Sequence, residues 1–299
     1  MTELTFFQQK MQEKFPALEL RFFEPMSKHT SFRIGGAAEV MAFPKNEQEL
    51  SLLLSLGCDT RILGAGTNVL APDEGIKGLV ICLKDCLGGM ERINRTDIRV
   101  AAGVTMTRAA VFAANLGLSG LEFAHGIPGT VGGGVYMNAG AYGGEIKDVC
   151  VSVRVMDRQG YIRVLSGEEM EFSYRHSCLE DTDEIVLEAV FHLTPAMPEA
   201  IKARMKELMG KRSASQPLDL PSAGSAFKRP VGGYAAALID QAGLKGYQVG
   251  GAAVSEKHAG FAVNLGGATA RDVRQLLTEV SQIVFEHSGI RLEPEIRIW

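Results

Sequence analysis

The sequence has no long apolar run, no excess of basic charge and few cysteines. No stretch approaches the roughly 18 apolar residues that a membrane-spanning helix needs, and the first ten residues lack the regions of a secretory signal peptide. We therefore expect a cytoplasmic protein without a membrane partner. The formal net charge of −4 and the pI near 5.9 argue against a nucleic-acid partner, although a local basic cluster could still hold a phosphorylated small molecule.

The five cysteines follow no recognised spacing. Cys82 and Cys86 are separated by three residues, and the other cysteines are scattered along the chain. An odd number of cysteines without a CxxC pair fits neither a structural zinc site nor a disulfide framework. The sequence thus predicts free thiols and no bound metal.

The patterns that are present indicate an α+β protein with two or three domains, since 299 residues with 46% hydrophobic content can bury a substantial core. Asn46 with Glu49 is an N-cap pair that opens a helix, and Thr105 opens a second helix that should stop at Gly117. Residues 149–193 alternate apolar and polar side chains, as strands do. The prolines within residues 194–198 interrupt this pattern and mark the best domain boundary.

The remaining elements follow from the same signals. Early strands are predicted at residues 61–63, 79–82 and 98–100. In the last hundred residues, helices are predicted at 199–209, at 234–242 and from Thr269 onward, and strands at 249–254, 260–264 and 291–298.

Residues 126–144 are unusually rich in glycine, with eight glycines among 19 residues. Glycine lets the backbone approach a ligand closely, but it supplies no side chain for packing and loses more entropy on folding than other residues. The segment therefore predicts a flat or anionic ligand such as a cofactor. A flexible linker is the alternative, but linkers are polar and repetitive, whereas apolar residues such as Val131 and Tyr142 are interleaved here.

A second glycine turn, residues 64–68, follows the predicted strand 61–63. Successive backbone amides in such a turn can surround a pyrophosphate, and Thr67 and Asn68 add side-chain donors. The spacing is not GxGxxG, so a Rossmann fold is poorly supported. Two such segments suggest a large dinucleotide bound between two subdomains.

Three further residues could carry chemistry. Ser225 follows Gly224 near two cations, and its hydroxyl is a credible acid only toward a very strong base such as an enolate; a polar turn explains it equally well. Arg175 could grip a carboxylate or form an ordinary surface salt bridge. Alternation in the last predicted strand puts Glu295 on one face with Glu293 and Arg297. Its carboxylate could pair with an electrophile or could be an ordinary solvated charge.

Six motifs occur together and in order: residues 29–36, 63–70, 126–133 with 137–143, 174–177, 223–228 and 293–297. Through them the sequence resembles the UDP-N-acetylenolpyruvoylglucosamine reductase (MurB) family of bacterial cell-wall synthesis, from about His29 to the last residue. The resemblance implies an FAD-binding region of the vanillyl-alcohol-oxidase (PCMH) type, made of two α+β subdomains, and a substrate-binding domain. We expect the first subdomain at 1–78, with FAD binding starting near residue 28, the second at 79–196 and the substrate domain at 199–299, with its last strand returning toward the flavin.

The resemblance also implies roles for individual residues. Ser225 would be the proton donor, and Arg175 and Glu295 would activate the substrate. Noncovalent FAD would be bound by Arg33, Gly64, Ala65, Gly66, Thr67, Asn68, Val69, Gly129, Thr130, Gly132, Gly133, Asn138, Ala139, Ala141 and Tyr142. The substrate would be bound by Tyr174, Gly224, Lys228, His258 and Asn264. His125 raises covalent flavin attachment as an alternative, as found in the wider superfamily.

The reaction implied by the resemblance is the reduction of UDP-N-acetylglucosamine enolpyruvate by a UDP-N-acetylmuramate dehydrogenase. NADPH would deliver a hydride to flavin N5, the vinyl carbon would then receive it, and Ser225 would protonate the adjacent carbon. The chain resembles the shorter members, which lack a tyrosine-bearing loop, and Arg229 stands where some members carry Asn. We expect a monomer; a flavin-binding sensor and an oxidase that reduces oxygen are the alternative functions.

Overall fold

The structure is a computed structural model that describes residues 4–299, so the first three residues of the predicted subdomain 1–78 lie outside it. Within the described residues there are eight α-helices and 19 strands. The helices are Phe6–Lys14 (α1), Glu47–Leu54 (α2), Met106–Asn115 (α3), Val131–Tyr136 (α4), Leu179–Thr182 (α5), Pro198–Ser215 (α6), Ala235–Gln241 (α7) and Ala270–Ser288 (α8). None of these helices is long and apolar enough to span a membrane.

The strands are short, and most pair antiparallel. They are Glu19–Pro25 (β1), Ala37–Phe43 (β2), Thr60–Leu63 (β3), Val69–Leu70 (β4), Ile76–Cys82 (β5), Met90–Arg92 (β6), Asp97–Ala101 (β7), Leu118–Ser119 (β8), Gly140–Ala141 (β9), Gly144–Glu145 (β10), Cys150–Met156 (β11), Ile162–Ser166 (β12), Ile185–His192 (β13), Thr194–Pro195 (β14), Ser222–Ser225 (β15), Gln248–Val249 (β16), Ala252–Val254 (β17), Phe261–Asn264 (β18) and Arg297–Ile298 (β19). The larger sheets have the orders β1-β2-β5-β3, β12-β11-β13-β7-β6 and β15-β18-β17-β16.

The chain divides into two compact units that are not continuous in sequence. The first contains the residues up to Phe22, Val40–Ala65 and Gly78–Lys211, and the second contains Phe23–Glu39, Gly66–Lys77 and Arg212–Trp299. The three-part division inferred from the sequence remains a prediction.

The first unit contains the five-stranded sheet and helices α3 and α4. In β11, Val153 and Val155 are fully buried while the alternating Ser152 and Arg154 are only partly covered, which is the pattern expected of a strand with one face on the core. Helix α3 begins where predicted, because the Thr105 side chain accepts a hydrogen bond from the backbone amide of Arg108. Helix α2 begins at Asn46 in the same way, and its Leu50 and Leu53 lie in a second core cluster of this unit.

The second unit is built on its own core around α8. A capping box of Thr269 and Asp272 opens this helix, as predicted, and its apolar face is buried with residues from the small sheet. Gly289, in the left-handed conformation with φ of 72°, ends it.

Two strand predictions in this unit are wrong. The predicted strand 249–254 is a hairpin of β16 and β17, because Gly250 adopts a φ of 55° and reverses the chain. The predicted strand 291–298 is strand only at Arg297–Ile298, which pairs parallel with Val69–Leu70. Pro294 lacks an amide hydrogen and forms only an isolated bridge with Phe227, so the expected single strand face does not form.

Candidate active site

The glycine-rich segment of the first unit contains a helix. Residues 131–136 form α4, and the Thr130 side chain caps it by accepting a 3.4 Å hydrogen bond from the amide of Gly133. A Cβ on Gly132 would lie 3.0 Å from the Cβ of Ala102, and a Cβ on Gly134 would lie 2.8 Å from the sulfur of Met106. These two glycines are therefore closely packed within the chain, and the interpretation that the whole glycine run serves a ligand is too broad.

Gly133 and Gly143 differ from their neighbours, because their open sides face little or no protein. The nearest atom to a Cβ on Gly133 would be the Thr130 hydroxyl at 3.6 Å, and nothing lies within 4 Å of a Cβ on Gly143. The imidazole Nδ1 of His125 is buried, and no hydrogen-bond partner for it exists among residues 4–299. Open backbone and an unpaired buried nitrogen in one segment fit a bound planar group such as a flavin.

The glycines of the turn at residues 64–68 are also explained in part by the chain itself. In the first unit, a Cβ on Gly64 would lie 2.6 Å from the Thr130 hydroxyl, and in the second unit a Cβ on Gly66 would overlap the carbonyl oxygen of His29. Within the described part of the chain, the backbone amides of Ala65 and Gly66 donate no hydrogen bond. Free amides in a glycine turn fit an anionic group such as a pyrophosphate.

The end of the glycine segment is folded tightly onto itself. Asn138 is fully buried with a φ of 44°, and its side-chain amide donates to the Glu145 carboxylate and to the backbone oxygen of Ser173. Ala139 donates its amide to Gly134, and Ala141 lies in the two-residue strand β9. The side chain of Tyr142 is 40% exposed. Of these residues, Asn138 has both amide hydrogens committed within the protein.

Tyr174 and Arg175 form the tip of a tight turn in the first unit. The backbones of Ser173 and His176 hydrogen bond to each other on either side of them. Arg175 adopts a φ of 55°, and its guanidinium donates a 3.1 Å hydrogen bond to the carbonyl oxygen of Gly140. The predicted catalytic arginine is thus held against the end of the glycine segment.

In the second unit, Ser225 and Glu295 lie on adjacent stretches of chain. The pairing of strand β15 is irregular before Ser225, where Gly224 adopts a φ of 76°. Ser225, which follows this irregularity, is exposed. Such a bulge redirects the side chain that follows it. The amide of Glu295 donates a 2.9 Å hydrogen bond to the carbonyl oxygen of Ala226, directly after Ser225. The chain segments that carry these two predicted catalytic residues, 70 positions apart in sequence, are therefore adjacent.

Asn68 and Val69 lie beside the chain segment that carries Glu295. The Asn68 side chain donates to the carbonyl oxygen of Glu295 at 3.1 Å, and Val69 pairs with Arg297. The exposed Arg33, with a φ of 55°, lies in the stretch whose Ser31 donates its amide to the carbonyl of Gly66. Asn68 is thus connected to Glu295 through its side chain, and Val69 pairs with the strand that follows Glu295.

The predicted substrate-binding residues of this unit differ in which of their polar groups already have partners within the protein. The Lys228 ammonium pairs with the Glu293 carboxylate at 2.6 Å. Burial lowers the pKa of His258, and its Nδ1 accepts a hydrogen bond from the Gly260 amide, so the neutral ring carries its hydrogen on Nε2. Asn264 is nearly buried and donates to the carbonyl of Phe32, which is a structural role.

Sequence reasoning missed Glu145, Ser173 and Ser177. The Ser177 hydroxyl is fully buried and donates a 2.6 Å hydrogen bond to the carbonyl of Tyr136. Glu145 and Ser173 bond Asn138. Ser177 lies within the motif 174–177, but nothing in the sequence indicates the roles of these residues, since their partners are backbone groups or lie many positions away. Arg175 belongs to the first unit and Ser225 and Glu295 to the second, so the convergence of all three remains a prediction.

Known proteins give a consistent set of similarities. Residues 216–299 match the family model for the C-terminal domain of UDP-N-acetylenolpyruvoylglucosamine reductase, and residues 38–166 match that of an FAD binding domain. The UDP-N-acetylenolpyruvoylglucosamine reductase of Agathobacter rectalis is 45% identical over 306 residues, covering 98% of each chain. That of Caldanaerobacter subterraneus is 46% identical over 293 residues, covering 97% of this chain and 96% of the relative.

A solved structure extends the similarity to three dimensions. The crystal structure of UDP-N-acetylenolpyruvylglucosamine reductase (MurB) from Thermus caldophilus is 36% identical, with a TM-score of 0.79 over 94% of this chain and 98% of that one. These matches confirm the predicted α+β fold with an FAD-binding region, and they confirm FAD as the cofactor. The chain belongs to the UDP-N-acetylenolpyruvoylglucosamine reductase family.

Proposed function

We propose that the protein reduces UDP-N-acetylglucosamine enolpyruvate to UDP-N-acetylmuramate, with NADPH as the hydride donor, in the synthesis of peptidoglycan precursors. The observation that carries the proposal is the 2.9 Å hydrogen bond from the Glu295 amide to the Ala226 carbonyl, because it joins the chain segments that carry the proposed proton donor Ser225 and the proposed carboxylate Glu295. Relatives with this enzyme name that align over nearly the full chain support the same reaction.

Ser225 is the proposed proton donor. Its exposed hydroxyl follows a strand irregularity at Gly224, which turns the side chain away from the regular strand direction. A serine hydroxyl is a weak acid, so it protonates carbon only when the acceptor is as basic as an enolate. Addition of hydride to an enolpyruvyl double bond next to a carboxylate produces that kind of acceptor.

Arg175 and Glu295 are proposed to act on the substrate before that proton transfer. A guanidinium can hold the enolpyruvyl carboxylate through two parallel hydrogen bonds and stabilise the charge that develops on it. Oriented charges of this kind contribute about 3 to 4 kcal/mol to a transition state. The Glu295 carboxylate would orient the reacting end of the substrate.

FAD fits the turn at residues 64–68 and the open backbone of the glycine-rich segment. The free amides of Ala65 and Gly66 would hold its pyrophosphate, and the open backbone at Gly133 and Gly143 would lie against its ring. When bound, FAD relays hydride from the nicotinamide to the substrate. Lys228 and the Nε2 of His258 would bind the UDP-sugar. The cellular setting that we propose is a cytoplasmic monomer that supports cell-wall growth, cell shape and division.

The test is turnover by the FAD-loaded protein, followed as NADPH oxidation that requires the enolpyruvyl sugar nucleotide. Ser225→Ala should lower kcat by about 100-fold or more, as expected for loss of a general acid. Ser222→Ala, on the same strand, is the matched control and should keep full activity. In D2O the product should carry solvent deuterium on the carbon next to the carboxylate. A protein that binds FAD and the substrate but never converts it would refute the proposal, and peroxide formation during NADPH oxidation would favour an oxidase.

A further inference from the structure

Two backbone hydrogen bonds close the turn that carries Arg175. Ser173 donates its amide to the carbonyl of His176 at 3.1 Å, and His176 donates back to Ser173 at 3.3 Å. Arg175 occupies the third position of this turn with a φ of 55°, a conformation that favours glycine. A turn of this size with a strained arginine at its tip needs outside contacts to keep the guanidinium in one position.

Asn138 provides one of those contacts from the fully buried end of the glycine segment. Its Nδ2 donates a 2.8 Å hydrogen bond to the carbonyl oxygen of Ser173 and a 2.9 Å hydrogen bond to the carboxylate of Glu145. Its Oδ1 accepts a 3.0 Å hydrogen bond from the amide of Lys147. Both hydrogens of the amide are therefore used, and neither is available to a ligand.

Two more hydrogen bonds join the same stretches of chain. The hydroxyl of Ser177 donates to the carbonyl of Tyr136 at 2.6 Å, and the guanidinium of Arg175 donates to the carbonyl of Gly140 at 3.1 Å. The turn is thus attached on both sides and at its tip to residues 136–145. Residues 136–145 therefore fix the position of Arg175.

Glu145 completes the arrangement electrostatically. Burial acts to raise its pKa, but hydrogen bonds with Lys147 and Asn138 and the nearby charges of Lys147 and Arg175 outweigh burial, so the pKa of Glu145 is lowered. The carboxylate therefore stays ionised beside Arg175. An additional negative charge at position 138 would lie directly against it.

We propose that Asn138 is a positioning residue that holds Arg175 in its productive place, and that it is not a ligand of FAD as the sequence predicted. The proposal rests on the proposed function, in which Arg175 acts on the substrate carboxylate. Only a carboxamide can donate to the Ser173 carbonyl and to Glu145 while accepting from Lys147. An aspartate has nearly the same shape but loses both donated bonds and repels Glu145.

The first test separates the two half-reactions in FAD-loaded Asn138→Asp. A displacement of the guanidinium by about 1 Å can lower the rate about 100-fold, so oxidation of the reduced enzyme by the enolpyruvyl substrate and kcat should fall by that order. Reduction by NADPH and the flavin content should stay unchanged, because Asn138 holds Arg175 and not the cofactor. Loss of FAD binding, or unchanged kcat, would overturn the proposal.

Asn94→Asp is the matched control for this substitution. Asn94 also lies in the first unit, accepts backbone amides of a turn through its Oδ1, and donates its Nδ2 to a carboxylate, that of Asp97. The same chemical change is thus made at a turn that carries no proposed site residue. We expect kcat to match that of the unsubstituted enzyme.

A second measurement tests the position of Arg175 without any substrate. Trypsin cleaves after arginine, and a firmly held turn resists cleavage, so cleavage after Arg175 in the FAD-loaded Asn138→Asp protein should be about tenfold faster, equivalent to the loss of one buried hydrogen bond. Ser177→Ala, which frees the other side of the turn, should act in the same direction and serves if the first variant does not fold. If the unsubstituted enzyme fails to turn over, the proposed function is refuted, while an unchanged cleavage rate alone would refute the role of Asn138.

Discussion

Backbone strain is concentrated at residues predicted to form the site. Arg33, Asn138, Tyr142 and Arg175 all adopt positive φ angles between 44° and 55°. Each such residue costs about 1 kcal/mol or more relative to glycine, and the cost is tolerated only where surrounding contacts enforce the conformation. The side chains of Asn138 and Arg175 each donate a hydrogen bond to a backbone carbonyl, so the strain is the consequence of orienting particular side chains.

This strain makes a prediction for Arg175→Gly. Glycine adopts a φ of 55° without a steric penalty, so relief of strain should raise the free energy of unfolding by about 0.5 to 1 kcal/mol. Loss of the bond to Gly140 and the gain in unfolded-state entropy act in the opposite direction. Turnover should fall by 100-fold or more, because the group that holds the substrate carboxylate is gone. Urea denaturation and steady-state kinetics measure the two effects.

Glu171→Gly is the control for this stability effect. Glu171 also has a positive φ, of 47°, and has no proposed role in the site. It should show a similar change in stability with unchanged kcat. If Arg175→Gly kept normal turnover, the role of Arg175 in the proposed function would be wrong.

At the scale of secondary-structure elements, helix starts were predictable because they depend on local chemistry. Asn46, Thr105 and Thr269 each accept a backbone hydrogen bond at the start of their helix, as their sequence contexts predict. Helix α4 was not predicted, because its three consecutive glycines disfavour helix and its stability comes from the Thr130 cap and from burial. Tertiary contacts also decide the final strand, where pairing with Val69–Leu70 selects only two residues.

The candidate site was predictable to the extent that its chemistry resides in single residues. Ser225 and Glu295 were chosen from the sequence, and the structure brings their backbone segments together. Asn138 and Asn264 were chosen as ligand contacts, yet their amides bond within the protein. A polar residue in a motif can serve either purpose, and only the positions of its partners distinguish the two.

The glycines of α4 give a paired prediction at this scale. A methyl group at Gly133 meets only open space and the Thr130 hydroxyl at 3.6 Å, so Gly133→Ala should stabilise the FAD-free protein by up to about 1 kcal/mol through higher helix propensity. The same methyl group should occupy space that the flavin needs and weaken FAD binding. Thermal unfolding without FAD and titration with FAD measure both effects.

Gly134→Ala is the matched variant, and it should behave in the opposite way. Its Cβ would lie 2.8 Å from the sulfur of Met106, so overpacking should destabilise the FAD-free protein by about 1 to 3 kcal/mol. Equal stability of the two variants, or unchanged FAD affinity in Gly133→Ala, would contradict the assignment of Gly133 to the cofactor cradle.

At the scale of the whole molecule, the two units are interleaved along the chain. The second unit takes two short stretches from the first quarter of the sequence, Phe23–Glu39 and Gly66–Lys77, and combines them with the last 88 residues, Arg212–Trp299. Sequence signals such as a proline-rich boundary report only on neighbours in the chain, so they cannot reveal this arrangement. Contacts over such long separations close late in folding.

Removal of the last eight residues tests this organisation. Leu292 and Ile296 are buried in the core of the second unit, and Arg297–Ile298 is the partner strand of Val69–Leu70. Their loss removes about 1.5 to 3 kcal/mol for each buried side chain in addition to the strand hydrogen bonds.

In a variant that ends at Arg291, amides in residues 66–77 should exchange with solvent at least tenfold faster, whereas those of β7, β11 and β13 in the first unit should keep their protection. Ile298→Ser at full length changes a half-exposed side chain only and should leave both regions protected. Unchanged exchange in residues 66–77 of the shortened chain would mean that the C-terminal segment does not hold this stretch of the second unit.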